Sequence, residues 1–198
     1  MRVAMILRPD TPAVFGGDVV AMRGLGAALR ALGVDVCAGR VHELPPPEQF
    51  DLIHIFCLTP PAHVADMLAW ARRGRLAIVY SPLYYSDFRD WFERAVTAAP
   101  RWRMLAARLG KDRAWGLYRL WQTARLPFLA SWRGMRAALA AADVVATTTH
   151  WENDWIGRHF RLPARLRERM QISPLGIDAD LYGRTWLAQE LHAFRARH

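Results

Sequence analysis

The chain has 198 residues, a length typical of one domain. Its apolar fraction of 53% is enough for a packed core, which excludes a disordered chain. No apolar run reaches the roughly 18 residues that cross a bilayer, and the N-terminal run is too short for a signal peptide. We therefore expect a cytoplasmic protein. The net charge of +9 is concentrated in residues 84–136, which hold eleven basic and four acidic residues.

Short apolar runs typical of strands alternate along the chain with segments of helical periodicity. The predicted strands cover residues 2–8, 34–38, 51–56, 76–80, 143–149 and 170–173. The predicted helices begin after Gly17 and at Pro60, and cover about 87–142, 150–160 and 184–198. This alternation predicts an α/β protein with a Rossmann-like, mostly parallel sheet, helices on both faces and a helical insertion at about 84–142.

The loop after the first strand ends in Phe15-Gly16-Gly17-Asp18 and leads into the first helix, which Gly33 ends as a C-cap glycine. Glycines let backbone N–H groups approach an anion, and a helix N-terminus carries partial positive charge. Gly16, Gly17 and Asp18 are therefore candidates for a phosphate-binding loop. The alternative is a plain turn in which Asp18 serves as the N-cap.

In a doubly wound sheet, ligands bind at the carboxyl ends of the strands. Candidate residues at that edge include Ser81 after the fourth strand, and His150 and Glu152 after the fifth. Glu152 is alternatively a first-turn acid favoured by the helix dipole. His54 lies inside an apolar strand, where a core or strand-end histidine is expected. The two cysteines, Cys37 and Cys57, show no metal-ligand spacing.

Five segments resemble, in order and spacing, landmarks of the N-terminal domain of a GT-B glycosyltransferase of the family 4 kind, which transfers sugars from nucleotide-sugar donors. They cover about 180 residues. These segments are Arg2-Val-Ala-Met-Ile-Leu, Gly16-Gly17 leading into Leu25-Gly-Ala-Ala-Leu-Arg-Ala-Leu-Gly33, Phe50-Asp-Leu-Ile-His-Ile55, Ala142-Asp-Val-Val-Ala-Thr-Thr-Thr149, and Ile172-Ser-Pro-Leu-Gly-Ile-Asp178.

The resemblance implies that residues 1–183 form the acceptor-binding domain and that Gly16, Gly17 and Asp18 lie near the donor diphosphate. Acceptor-binding positions carry over loosely to Ser81, Tyr84, Tyr85, His150 and Glu152. Tyr84 and Tyr85 alternatively belong to a helix start. The resemblance also implies a nucleotide-sugar substrate, no cofactor or metal, and a lipid-linked or cell-envelope glycan acceptor.

This chain departs from the family pattern in two ways. It has no histidine soon after the fourth strand, where the family commonly places one near the transferring sugar. The second, nucleotide-sugar-binding domain is also absent from the 198 residues. We therefore expect either a piece of a longer enzyme or a half that works with a partner subunit, with little transfer activity alone.

The insertion combines arginines with tryptophans, a composition typical of helices at a bilayer interface. The candidate contacts with an anionic membrane surface are Trp115, Arg119, Trp121 and Arg125, which would place the protein peripherally on the inner face of the membrane. The alternative is that these tryptophans pack a helical subdomain. No nucleic-acid motif accompanies the basic residues, so we expect no nucleic-acid partner.

Two other function classes compete with glycosyl transfer. A non-catalytic scaffolding subunit would recruit a separate catalytic half through an exposed apolar surface, for which the predicted helix 184–198 is a candidate. A dinucleotide-dependent enzyme would need Gly-x-Gly-x-x-Gly before the first helix, but Gly24 and Gly26 fall inside that helix.

Overall fold

The computed structural model describes residues 1–6, 17–56, 61–83, 88–174 and 176. The strands in these ranges are β1 (Arg2–Ile6), β2 (Asp35–Gly39), β3 (Leu52–Phe56), β4 (Ala77–Ser81), β5 (Val144–Thr147) and β6 (Met170–Ile172). The α-helices are α1 (Gly17–Ala31), α2 (Pro61–Arg73), α3 (Phe88–Ala98), α4 (Pro100–Leu109), α5 (Lys111–Arg125), α6 (Ala130–Ala141), α7 (His150–His159) and α8 (Ala164–Arg167). Two 3₁₀ turns cover Pro47–Gln49 and Leu126–Phe128.

The six described strands form one parallel sheet in the order β2-β1-β3-β4-β5-β6. This arrangement confirms the predicted α/β, Rossmann-like fold, and the sheet is parallel throughout the described strands. The order reverses at β1, because the chain first adds β2 on one side of β1 and then returns to place β3 on the other side.

Helices cover both faces of the sheet, as predicted. On one face, Met22 of α1 packs with side chains of β1, β2 and β3: Val3, Met5, Val36 and Phe56. Gly26 lets α1 approach β1 closely, because a Cβ at this position would lie 3.3 Å from the sulfur of Met5. The other face carries the larger core, in which α2, α6 and α7 contribute Met67, Leu139 and Ile156.

The helical insertion between β4 and β5 has two parts. Helices α3, α4 and α5, which we call the three-helix unit, enclose an aromatic core of their own: Phe92, Trp102, Ala114 and Tyr118. Helix α6 instead packs against α2 in the main core. The insertion therefore consists of a separately packed unit and a helix that covers the sheet.

The predicted bounds differ from the observed ones mainly at the fifth strand. The prediction extended this strand to residue 149, but β5 ends at Thr147 because Thr148 and Thr149 form the turn that caps α7. Gly33 follows α1 with φ of 81°, which confirms the predicted C-cap glycine. None of the helices that the structure describes is both long enough and apolar enough to cross a bilayer. Gly16, Cys57, Tyr84, Tyr85 and the predicted helix 184–198 lie outside the described residues.

Candidate functional site

The reversal of strand order at β1 defines where a ligand crevice is expected. Helix α1 follows β1 onto one face of the sheet, and α2 follows β3 onto the other face. Because the two helices follow neighbouring strands onto opposite faces, a doubly wound sheet is expected to hold its ligand crevice between their N-termini at the carboxyl edge. Gly17 begins α1 at this edge.

A buried polar pair joins the middle of β3 to the end of β4 on the strand next to this expected crevice. The strand register aligns Phe56 with Ser81, so His54 and Ser81 project from the same face of the sheet. The Nε2 atom of His54 lies 2.8 Å from the Oγ atom of Ser81. The exposed fractions of the two residues are 8% and 7%. The pair therefore presents an imidazole and a hydroxyl at the carboxyl edge, within an otherwise apolar strand pair.

The environment of His54 sets its protonation state. Burial lowers the pKa of His54 to about 4, and its ring stacks on that of Phe56 with 4.2 Å between the centroids. The imidazole is therefore neutral at neutral pH, with one nitrogen that donates a hydrogen bond and one that accepts. Such a ring, paired with a serine hydroxyl, can exchange hydrogen bonds with the hydroxyl groups of a ligand without placing a charge in the core.

The turn between β5 and α7 is held by reciprocal capping contacts. The carboxylate of Glu152 accepts hydrogen bonds from the backbone N–H of Thr148 at 2.6 Å and from its hydroxyl at 2.7 Å. The Thr149 hydroxyl in turn accepts from the Glu152 N–H at 3.0 Å. The carboxylate of the buried Glu152 is therefore occupied in holding the turn. His150, in contrast, is exposed on the first turn of α7. The Thr-x-x-Glu spacing at 149–152 is a capping-box signal that the sequence already contained.

The start of α1 offers backbone N–H groups at the carboxyl edge. Gly17 is exposed, and a Cβ built on it meets no atom within 4 Å. Gly17 and Asp18 stand in the first turn of α1, and the N-terminus of a helix favours an anion. Gly24 and Gly26 lie inside α1, as expected.

The sheet topology brings most of the described candidate residues to one edge. Gly17 and Asp18 begin α1, Ser81 ends β4, and His150 and Glu152 begin α7. Gly16, Tyr84 and Tyr85 lie outside the described residues. His54 was expected to be a core or strand-end histidine; it is buried in the middle of β3, as the first of these alternatives expects. Its hydrogen bond to Ser81 was not predicted, since it depends on the register of β3 against β4.

The candidate membrane residues occupy different environments on α5. The half-buried Trp115 lies against Phe92, with 5.6 Å between ring centroids, and Trp121 lies against Trp102 at 5.5 Å. Arg119 is exposed, and the guanidinium of Arg125 lies 4.0 Å from the Trp121 ring centroid. The two tryptophans therefore contribute to the core of the three-helix unit, as the packing alternative expects.

The described ranges contain no group of three or more histidine, cysteine, aspartate or glutamate side chains that could hold a metal ion. The strand order and the helical layers define the class as a Rossmann-like α/β protein. The sequence matches no protein-family model and no curated protein.

Proposed function

We propose that this chain is the acceptor-binding, N-terminal half of a GT-B-type glycosyltransferase. The observation that supports this most is the His54–Ser81 pair, at the carboxyl edge next to the point where the strand order reverses. Three of the sequence segments that resemble the family coincide with the strands β1, β3 and β5, whose carboxyl ends lie at this edge. The donor would be a nucleotide-sugar and the acceptor a lipid-linked or cell-envelope glycan.

In the proposal, the His54–Ser81 pair supplies the histidine that the family pattern expects soon after the fourth strand. The resemblance expects a histidine soon after that strand, and this chain has none at the corresponding position. His54 reaches the end of β4 from the neighbouring strand, because its Nε2 atom is hydrogen-bonded to Ser81. In the proposed site, this imidazole and the serine hydroxyl orient a hydroxyl group of the acceptor.

The other residues of the edge have complementary roles in the proposal. The N–H groups of Gly17 and Asp18 at the start of α1 contact the donor diphosphate, which a helix N-terminus favours. The exposed His150 contacts the acceptor, and Glu152 fixes the turn that carries it. A second domain or partner subunit supplies the nucleotide pocket, so the chain alone binds acceptor without efficient transfer.

Acceptor binding by the 198-residue chain tests this function. We would measure binding of a panel of lipid-linked and soluble glycans to the wild type, to Ser81→Ala and to the control variant Thr97→Ala, whose hydroxyl is exposed on α3, away from the sheet edge. We expect one glycan class to bind the wild type and Thr97→Ala equally and Ser81→Ala at least tenfold more weakly. Equal binding by all three proteins, or no binding of any glycan, would contradict the proposal. If the chain binds no glycan but captures a catalytic subunit, the result would favour a scaffolding role.

A further inference from the structure

Apolar side chains are exposed on one side of α5 and in the turn that follows it. Leu117, Leu120 and Phe128 have exposed fractions of 45%, 69% and 81%. Leu117 and Leu120 are three residues apart and lie on the same side of the helix, and Arg113 precedes Leu117 by one helical turn on that side. We call Arg113, Leu117, Leu120 and Phe128 the α5 stripe.

The α5 stripe faces away from the core of the three-helix unit. The opposite side of α5 carries Ala114, Tyr118 and Gln122, which are buried. Tyr118 packs against Phe92 and Trp102, with ring centroids 5.4 and 4.9 Å apart. The exposed leucines are therefore not needed for the packing of this unit, and their exposure has a cost in water that a binding partner would remove.

The α5 stripe lies in strongly basic surroundings. Residues 88–128 contain nine basic and three acidic residues. One of the acids, Glu93, is already paired with Lys111 at 2.7 Å and Arg89 at 3.3 Å. Trp121 follows Leu117 by one turn of α5, and the guanidinium groups of Arg101 and Arg125 lie over its ring, 5.1 and 4.0 Å from the centroid. Positive charge is therefore held beside the exposed apolar side chains by contacts within the unit.

We propose that the α5 stripe docks on the surface of a bilayer that contains anionic phospholipids. A convex helix edge with leucine and phenylalanine side chains can enter the boundary between headgroups and acyl chains, while adjacent guanidinium groups meet the lipid phosphates. This surface differs from the set expected from the sequence, because Trp115 faces Phe92 and Arg89 instead of the stripe. The inference stands on the α5 contacts and does not depend on the glycosyltransferase proposal.

Flotation of the 198-residue chain with phospholipid vesicles tests the inference. The vesicles would contain phosphatidylcholine alone or phosphatidylcholine with about a third of phosphatidylglycerol. Leu120→Ser with Phe128→Ser removes apolar surface from the stripe, and Arg113→Gln with Arg125→Gln removes charge. The matched control, Val20→Ser with Leu32→Ser, changes two side chains that are exposed by 56% and 80% elsewhere in the chain. Circular dichroism would show that every variant is folded.

We expect the wild type and the control to float with the anionic vesicles, with less binding to phosphatidylcholine alone and at high salt. Each of the two stripe variants should bind the anionic vesicles at least fivefold more weakly. A wild type that does not float, or stripe variants that float as well as the control, would overturn the inference. So would binding of the stripe to an acidic protein or peptide without binding to vesicles. Binding of soluble glycans by the stripe variants reports separately on the proposed function.

Discussion

The imidazole of His54 and the hydroxyl of Ser81 are joined by a 2.8 Å hydrogen bond that links the middle of β3 to the end of β4. Both side chains are buried, so if one of them is removed, the other loses its hydrogen-bond partner and is not readily solvated by water. The hydrogen bond therefore fixes the position of the His54 imidazole near the carboxyl edge of the sheet, and it contributes to the stability of the fold.

Replacing Ser81 with alanine should destabilise the protein by about 1–3 kcal/mol, because the Nε2 atom of His54 loses its hydrogen-bond partner in a buried position. The free energy of unfolding from urea titration measures this change. Ser173→Ala, at an exposed position, should change it by less than about 0.5 kcal/mol. If the two variants unfold alike, the hydrogen bond contributes nothing to stability.

The stability of the protein should fall as the pH is lowered from 7 to 5. Burial lowers the pKa of His54 to about 4 in the folded state, whereas the ordinary value is 6.5. The unfolded chain therefore binds more protons between these values, and stability that is present above pH 6.5 is lost as the pH falls toward 4. His54 alone accounts for a loss of about 2 kcal/mol between pH 7 and pH 5.

Urea titrations of the wild type and His54→Leu at the two pH values would isolate this contribution. The leucine variant should lose less stability than the wild type between pH 7 and pH 5. Part of the pH dependence should persist, because burial also lowers the pKa of His159 to about 4. An identical loss in both proteins would show that His54 is not the source.

Gly17 and Gly26 should respond differently to substitution by valine. Gly17 has open space around it, so Gly17→Val should fold with a change in stability below about 1 kcal/mol. In Gly26→Val, the added side chain meets Met5, and overpacking should cost about 1–3 kcal/mol. Thermal unfolding of both variants measures this contrast.

Donor turnover in the assembled transferase would then test the role of Gly17. We expect Gly17→Val to weaken turnover, because the added side chain obstructs the approach of the diphosphate to the start of α1. Wild-type turnover in this variant would remove Gly17 from the donor site without affecting the description of the fold.

The capping contacts at α7 should be measurable independently of ligand binding. Thr149→Ala removes the acceptor for the Glu152 N–H and should destabilise the protein by about 1 kcal/mol. Thr123→Ala is a matched control, because the Thr123 hydroxyl donates only to the Arg119 carbonyl of its own exposed helix surface. Similar unfolding midpoints for the two variants would mean that the cap does not stabilise α7.

Local sequence patterns were sufficient for most of the secondary structure. Strands such as β1 and β3 are buried on both faces and appear as short apolar runs, and Gly33 marks the end of α1 where φ is positive. The strand order and the His54–Ser81 pair could not be derived in this way. They depend on the register between segments separated by 27 residues, which no local pattern encodes.

The tryptophans of α5 show a second limit of sequence reasoning. Trp115, Tyr118 and Trp121 recur every three residues, and this spacing is equally compatible with a helix that faces a membrane and one that faces a protein core. The contacts with Phe92 and Trp102 show that the aromatic side of α5 faces a protein core. Leu117 and Leu120 lie on the exposed side of the helix. Which side is buried depends on α3 and α4, not on α5 alone.

The most direct test of the acceptor site is an NMR titration of the isotopically labelled chain with the glycan class that binds it. We expect the largest amide shift changes at the carboxyl edge, at Ser81 and His150, and little change at Asp35 and Ala77, which begin strands at the opposite edge. Shift changes that spare the carboxyl edge, or that centre on the opposite edge, would contradict the proposal that this edge binds the acceptor.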